Sequence, residues 1–352
     1  MQLPDWIKKH KEPRTDIRKI GNGFYKYEVA FVYSKTKKRT EKKTIRLLGK
    51  ITEKDGFIPS SKDALRRISE ELPKVDIKTF GLYHLFSDLM KEEIASLKKA
   101  FGDEQSERLL SFAMMRWAYQ TPIKRATYYH SHDFCSQYWA TKNMSDKTVS
   151  LNLKWFGENR EKTVGWMKSL LSDVPENEQN FVLMDSTHAV SVSENLSVNA
   201  KGYNPDFDFD KQIRLMYLFS AQMKQPVYYR LKKKTEPEKP LEQTVYESYK
   251  QRGEVETMFD SYKNYLDADV SYMQNRYVLE GWLFANFIAM IAYYKLYVRL
   301  RQAEILSKHS PKDIIEQSKA IHKLKIRGEW HRSEITKRTR ELFAKIGIDC
   351  LK

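Results

Sequence analysis

The chain reads as a mixed α/β protein with added helical regions: a basic β-hairpin region, a helical stretch, a strand-rich core followed by helices, and a basic helical tail. Three observations predict it. Residues 24–33 (FYKYEVAFVY) and 44–51 (TIRLLGKI) are rich in β-branched and aromatic side chains and flank SKTKKRTEKK, the pattern of a hairpin with a polar tip. From about Thr79 to Asp173 apolar residues recur at helical spacing. At Phe181 the period changes again. FVLMDSTHAVSV, QIRLMYLFSAQ from Gln212 and PVYYRLK from Pro226 then read as three strands of a meander, turning at Met223 to Gln225. The boundaries fall at 1–78, 79–176, 177–298 and 299–352, and 352 residues are enough for two or three domains with cores.

Charge bears on partners rather than on fold. Sixty-two Lys and Arg oppose 46 Asp and Glu, a net charge of +16, which favours a polyanionic partner, nucleic acid before membrane. Two cysteines, Cys135 and Cys350, are too few for a disulfide framework and predict a reducing, cytoplasmic location. The N-terminal MQLPDWIKKHKEPR lacks the apolar core of a signal peptide. The most apolar run, GWLFANFIAMIAYYKLYV from Gly281, is interrupted by Asn286 and flanked by Glu280, Lys295 and Arg299. It falls short of the ~20 residues that span a bilayer, so a buried helix is predicted and no membrane partner.

Taken in order, the hairpin tip offers Lys35, Lys37, Lys38, Arg39, Lys42 and Lys43, either to a phosphate backbone or simply to water. Asp103 is predicted to cap a helix that runs to Gln120 and stops before Pro122, Ser145 to cap a second through Phe156, and Lys162–Leu171 to form a third. Arg116, Lys124, Arg125, Lys142 and Lys147 offer a DNA face, and Trp117, Tyr128, Tyr129 and Tyr138 either stack on bases or pack inside. His130, His132 and Asp133 lack further ligands at the spacing zinc needs. Ser310-Pro311 opens one late helix and Ser333 another, within the basic segment Lys323 to Arg340.

Function is most legible in YKQRGEVETMFDSYK, Tyr249 to Lys263. On a helix Tyr249, Arg252, Glu256, Asp260 and Lys263 form one stripe, and Val255, Met258, Phe259, Tyr262 and Leu266 an apolar second stripe. The polar stripe is either an ordinary solvated face or a carboxylate for a divalent metal with cations for phosphates. The spacing of Tyr249, Arg252, Glu256 and Lys263 resembles the YREK signature of bacterial insertion-sequence transposases of the DDE class. FVLMDSTH, GYNPDFDFDKQIRLMYLFS and the apolar run after Glu256 resemble the same family, over roughly residues 20 to 350.

The resemblance implies an RNase H-like catalytic core in which Asp185 and Glu256 are the first and last of three carboxylates holding Mg²⁺ or Mn²⁺ for strand cleavage and transfer. It also implies contacts of Tyr249, Arg252 and Lys263 with transposon-end phosphates, terminal inverted repeats and target DNA as partners, and action as a homodimer. One interruption sets this chain apart. Only KKKTEPEK separates Leu231 from Pro240, too little for the crossover helix, the fourth strand with the middle Asp and the fifth strand. A truncated core lacking the later strands, with a deletion near Lys232 to Lys234, is therefore expected. Asp206, Asp208 and Asp210 lie on a loop and are poorly placed to substitute. The alternative is a DNA-binding remnant that no longer cleaves.

Overall fold

The computed structural model describes residues 3–34, 38–60, 62, 75–139, 144–172, 182–201, 211–232, 258–326 and 328–349. It is mixed α and β, and its chain divides into two compact units, Met1–Val75 with Ile326–Gly328, and Asp76–Lys325 with Glu329–Lys352.

The first unit is a four-stranded antiparallel meander of β1 (Thr15–Ile20), β2 (Gly23–Ser34), β3 (Arg39–Thr52) and β4 (Gly56–Pro59), preceded by the short helix α1 (Asp5–Lys8). The hairpin expected from the two β-rich runs is β2–β3. Val29, Leu48 and Ile51 are buried, as is Ile7, with Leu48 the extra residue of a bulge where the register passes from Lys26–Gly49 to Tyr27–Leu47. Gly49 is required where β4 crosses closest, because a Cβ there would overlap the carbonyl oxygen of Ile58.

The second unit begins with β5 (Asp76–Thr79) and a helical layer: α2 (Gly81–Leu89), α3 (Lys91–Phe101), α4 (Asp103–Tyr119), α5 (Ala126–His132), α6 (Cys135–Tyr138), α7 (Asp146–Glu158) and α8 (Arg160–Ser172). Ser145 caps α7 by accepting from the Thr148 amide. The expected Asp103 cap is corrected: Gly102 holds that position at φ +80°, and Asp103 is the first helical residue, where its charge favours the helix dipole. The sheet follows, with β6 (Val182–Ser191), β7 (Ala200–Lys201), β8 (Lys211–Ser220) and β9 (Gln225–Lys232). β8 pairs antiparallel with β6 on one side and with β9 and the two-residue β7 on the other.

The stretch from which the later strands were expected to be missing, between Leu231 and Glu256, lies outside the described residues from 233 onward, and the next strand lies after Glu256. Val270–Ser271 forms a short strand, β10, parallel to Val190–Ser191 of β6.

Helix α9 (Arg276–Gln302) is the apolar run, capped by Asn275, whose side chain accepts from the Tyr277 and Val278 amides. By length and composition it is apolar enough to cross a membrane, but 72% of its most apolar window is buried inside the protein. It packs on α7, α4 and β9 as a core helix. The chain closes with α10 (Pro311–Lys319), opened by a Ser310–Asp313 capping box, then β11 (His322–Ile326), β12 (Glu329–Arg332) and α11 (Lys337–Lys345). β11 lies between β12 and β5. Ser333 does not open the last helix, as its hydroxyl accepts from the His322 amide at the sheet, and Thr336 caps α11 instead.

Candidate functional site

Asp185 sits in the middle of β6, half-buried. Period-two alternation puts it on the same face as Leu183, Thr187 and Ala189, all buried, whereas Met184, Ser186 and His188 point to the opposite face. Register fixes its neighbours: Asp185 lies opposite Tyr217 of β8, and Tyr217 opposite Tyr229 of β9. A row of one carboxylate and two buried tyrosines thus crosses three strands on the core face. The Asp185 Oδ1 accepts from the Ser186 amide at 2.7 Å.

The helix that the YREK spacing defines is seen from Met258 onward. Met258, Tyr262 and Leu266 of its apolar stripe are buried and Phe259 packs against the core. Tyr217 is the anchor: its ring centroid lies 6.0 Å from that of Phe259 and 5.6 Å from that of Tyr262. The end of this helix therefore docks on the sheet face that carries Asp185. Its last turn, Ser261–Tyr265, is a π-helix, closed by the Leu266 amide donating to the Ser261 carbonyl at 3.0 Å. The regular stripe drawn through Asp260 to Lys263 is corrected accordingly: Asp260 is exposed, while half-buried Lys263 lies in the π turn, where α-helical spacing no longer holds.

Sequence reasoning missed what holds that turn. Arg116 of α4, expected on a DNA face, is buried, as is Trp117. Its guanidinium donates to the Asn286 side chain at 3.0 Å, to the carbonyls of Gln120 and Thr121, and to those of Leu266 and Asp267 directly after the π turn. It also lies over the Trp282 ring. Burial lowers its pKa to about 10, which leaves it charged. The sequence signal was available: an Arg in an apolar helix and an Asn in an apolar helix are most economically explained by each other. Arg116 positions the end of the signature helix rather than contacting a ligand.

The other expected residues divide into three sets. Glu256, Tyr249, Arg252 and Lys37 lie outside the described residues, as do Asp206, Asp208, Asp210 and Lys142. Lys38 and Arg39, in the first unit, are exposed at the hairpin tip, with Lys38 at φ +49° and Arg39 3.5 Å from Glu41. Lys124, Arg125, Lys147, Tyr128 and Tyr138 are exposed in the second unit.

Among the described residues no three His, Cys, Asp or Glu side chains group as metal ligands. Asp185 is one hard oxygen donor, and the described residues alone do not build a two-ion centre. The strand beside β6 carries Val270 and Ser271. Asp269, just before it, is level with Ala189, four residues along β6 from Asp185, a separation of about 13 Å at strand rise.

Comparison with protein-family models, curated proteins and solved structures finds no match to this chain.

Proposed function

We propose that this is a DDE-transposase-like protein of an insertion sequence that binds transposon-end DNA. Three strands in antiparallel order, a short strand parallel to the first on its far edge, and a helix end docked on Tyr217 of the neighbouring strand β8 support an RNase H-like arrangement. The observation that carries the reading is the packing of Tyr217, the cross-strand neighbour of Asp185, on Phe259 and Tyr262 of the YREK helix. It brings two segments that carry the family resemblance, far apart in the chain, onto one sheet face. The +16 charge suits a nucleic-acid partner, found in the cytoplasm, and homodimers on paired ends follow from the family reading.

Mg²⁺ or Mn²⁺, held with Glu256 and one further oxygen donor, would supply stabilisation of the attacking and leaving oxygens. A second reading is favoured by β10. Among the described residues the strand paired with the far edge of β6 carries Val270 and Ser271 and no carboxylate. On that reading the chain binds DNA without cutting it.

The test is binding and nicking of a labelled duplex carrying the element's own end, with Mg²⁺ and then Mn²⁺, beside Asp185→Ala and Glu256→Ala. Binding with metal-dependent nicking lost in both variants supports the transposase. Binding at unchanged affinity without nicking supports the non-cleaving form. No preference for the end over random duplex removes both.

A further inference from the structure

β2 and β3 run on past the rest of their sheet. β1 covers β2 only over Gly23 to Glu28, and β4 covers β3 only over Gly49 to Thr52. Beyond Ala30 and Lys43 the two strands have only each other as ladder partners among the described residues. A two-stranded ribbon of this kind is marginal in water on its own. Yet it displays large apolar side chains: Phe31 is 63% exposed, Tyr33 60% and Val32 44%. Register places Phe31 opposite Lys42 and Tyr33 opposite Thr40, so Phe31, Tyr33, Thr40 and Lys42 share one face. Lys42 is steadied at 2.6 Å by Asp16 of β1. From Val29 to Arg46 the described residues carry five cations, Lys38, Arg39, Lys42, Lys43 and Arg46, against one acid, Glu41.

Exposed apolar surface on an element with no other reason to extend marks a contact surface, and the charge decides the partner. Two copies of this ribbon meeting across a two-fold axis would set like charges against each other. A duplex has the opposite charge, and its major groove, about 12 Å wide, admits a two-stranded β-ribbon. We propose that the β2–β3 ribbon is a DNA-reading arm that enters the major groove, with Phe31 and Tyr33 against base edges and Lys38, Arg39 and Lys43 on the flanking phosphates. The proposal rests on the DNA-binding reading above and adds a second contact surface, on the other unit from Asp185.

The two sets of side chains leave different marks on affinity. Base-edge contacts release no counterions, whereas each neutralised phosphate contributes roughly 0.9 to the slope of log affinity against log salt. The full-length chain is titrated against a labelled mixed-sequence duplex over a range of salt, beside Phe31→Ser/Tyr33→Ser and Lys38→Ala/Lys43→Ala. The aromatic pair is expected to weaken binding about tenfold at unchanged slope, and the lysine pair to lower the slope by roughly 2. Methyl green, which occupies the major groove, should compete, and netropsin, which occupies the minor groove, should not. All substitutions are at exposed positions, and circular dichroism checks that the fold is kept. Affinity unchanged in Phe31→Ser/Tyr33→Ser overturns the arm, as does a parent dimer that the same variant converts to monomer without loss of DNA binding. If the parent binds duplex and only the arm variants are silent, the arm alone fails. If the parent binds no duplex, the functional reading fails with it.

Discussion

At the scale of the residue, Arg116 and Asp133 are both buried polar groups of the helical layer, and they are opposite cases. Arg116 is buried with its donors used, tying α4 to α9 and to the turn after the π-helix. Asp133 is fully buried, with Oδ1 accepting from the Cys135 amide at 2.8 Å and Oδ2 without a hydrogen-bond partner. Burial pushes its carboxyl up to about 7, against the smaller opposing effects of the Cys135 hydrogen bonds and Lys78. Because the folded pKa is raised, Asp133 favours the fold when protonated. That stability is fully present below the unfolded value near 3.8 and is lost as pH rises through 7. The difference amounts to roughly 4 kcal/mol at pH 8. Asp133→Asn keeps the acceptor for the Cys135 amide and removes the charge. It should raise the urea midpoint at pH 8 while changing it little at pH 4, and an equal shift at both would refute the buried-charge account. His130, lowered by burial to about 4, loses its contribution as pH falls below its ordinary 6.5, in parent and variant alike, so the difference between them isolates Asp133.

At the scale of the element, the close crossing of α7 and α9 depends on two glycines. A Cβ at Gly281 would overlap the carbonyl oxygen of Leu153, and one at Gly157 that of Tyr277. Backbone cannot give way as a flexible side chain can, so Gly281→Ala should destabilise by about 1–3 kcal/mol even though Ala is the better helix former. Thermal unfolding decides it: an unchanged or raised midpoint would mean that the helices can separate at no cost. Nothing in single-sequence pattern marks these glycines, because close approach is a property of two helices at once. What was legible was local. Ser145 and the Ser310-Pro311 pair announce their helices through capping chemistry, and β6, β8 and β9 show in their apolar runs. Ser333 misled because the same hydroxyl can cap a helix or serve a strand, and only the neighbouring His322 amide decides. For the site, the apolar run FVLMD pointed to a strand carrying Asp185, and helical spacing gave the apolar stripe from Val255 to Leu266. Tyr217, which joins them, is one aromatic among several in its strand, and only the register singles it out. The π turn at Ser261–Tyr265 likewise breaks a period that sequence reading assumes constant.

At the scale of the whole molecule, the two units are unequal. The second has a continuous core that runs from α2 through the sheet and α9 to α11. The first has a four-stranded sheet in which, among the described residues, Ile7, Val29, Leu48 and Ile51 are the buried apolar side chains, in a chain length at which a core alone is marginal. Polar contacts supplement it: Lys26, buried against the Phe57 ring, reaches Glu12 at 2.8 Å, and Arg18 lies over Tyr27. The Lys26–Glu12 pair has one partner exposed, so it adds little beyond anchoring the lysine. Unequal cores predict unequal stability and an unfolding that is not two-state. Calorimetry should resolve a small transition at lower temperature ahead of a large one, and brief proteolysis between the two should leave a fragment that begins near Asp76. Duplex DNA, if it binds the β2–β3 arm, should raise the lower transition more than the upper, because a ligand stabilises the unit that holds it by mass action. A single transition with equal calorimetric and van't Hoff enthalpies would mean that the two units fold as one, and that the small core draws its stability from the large one.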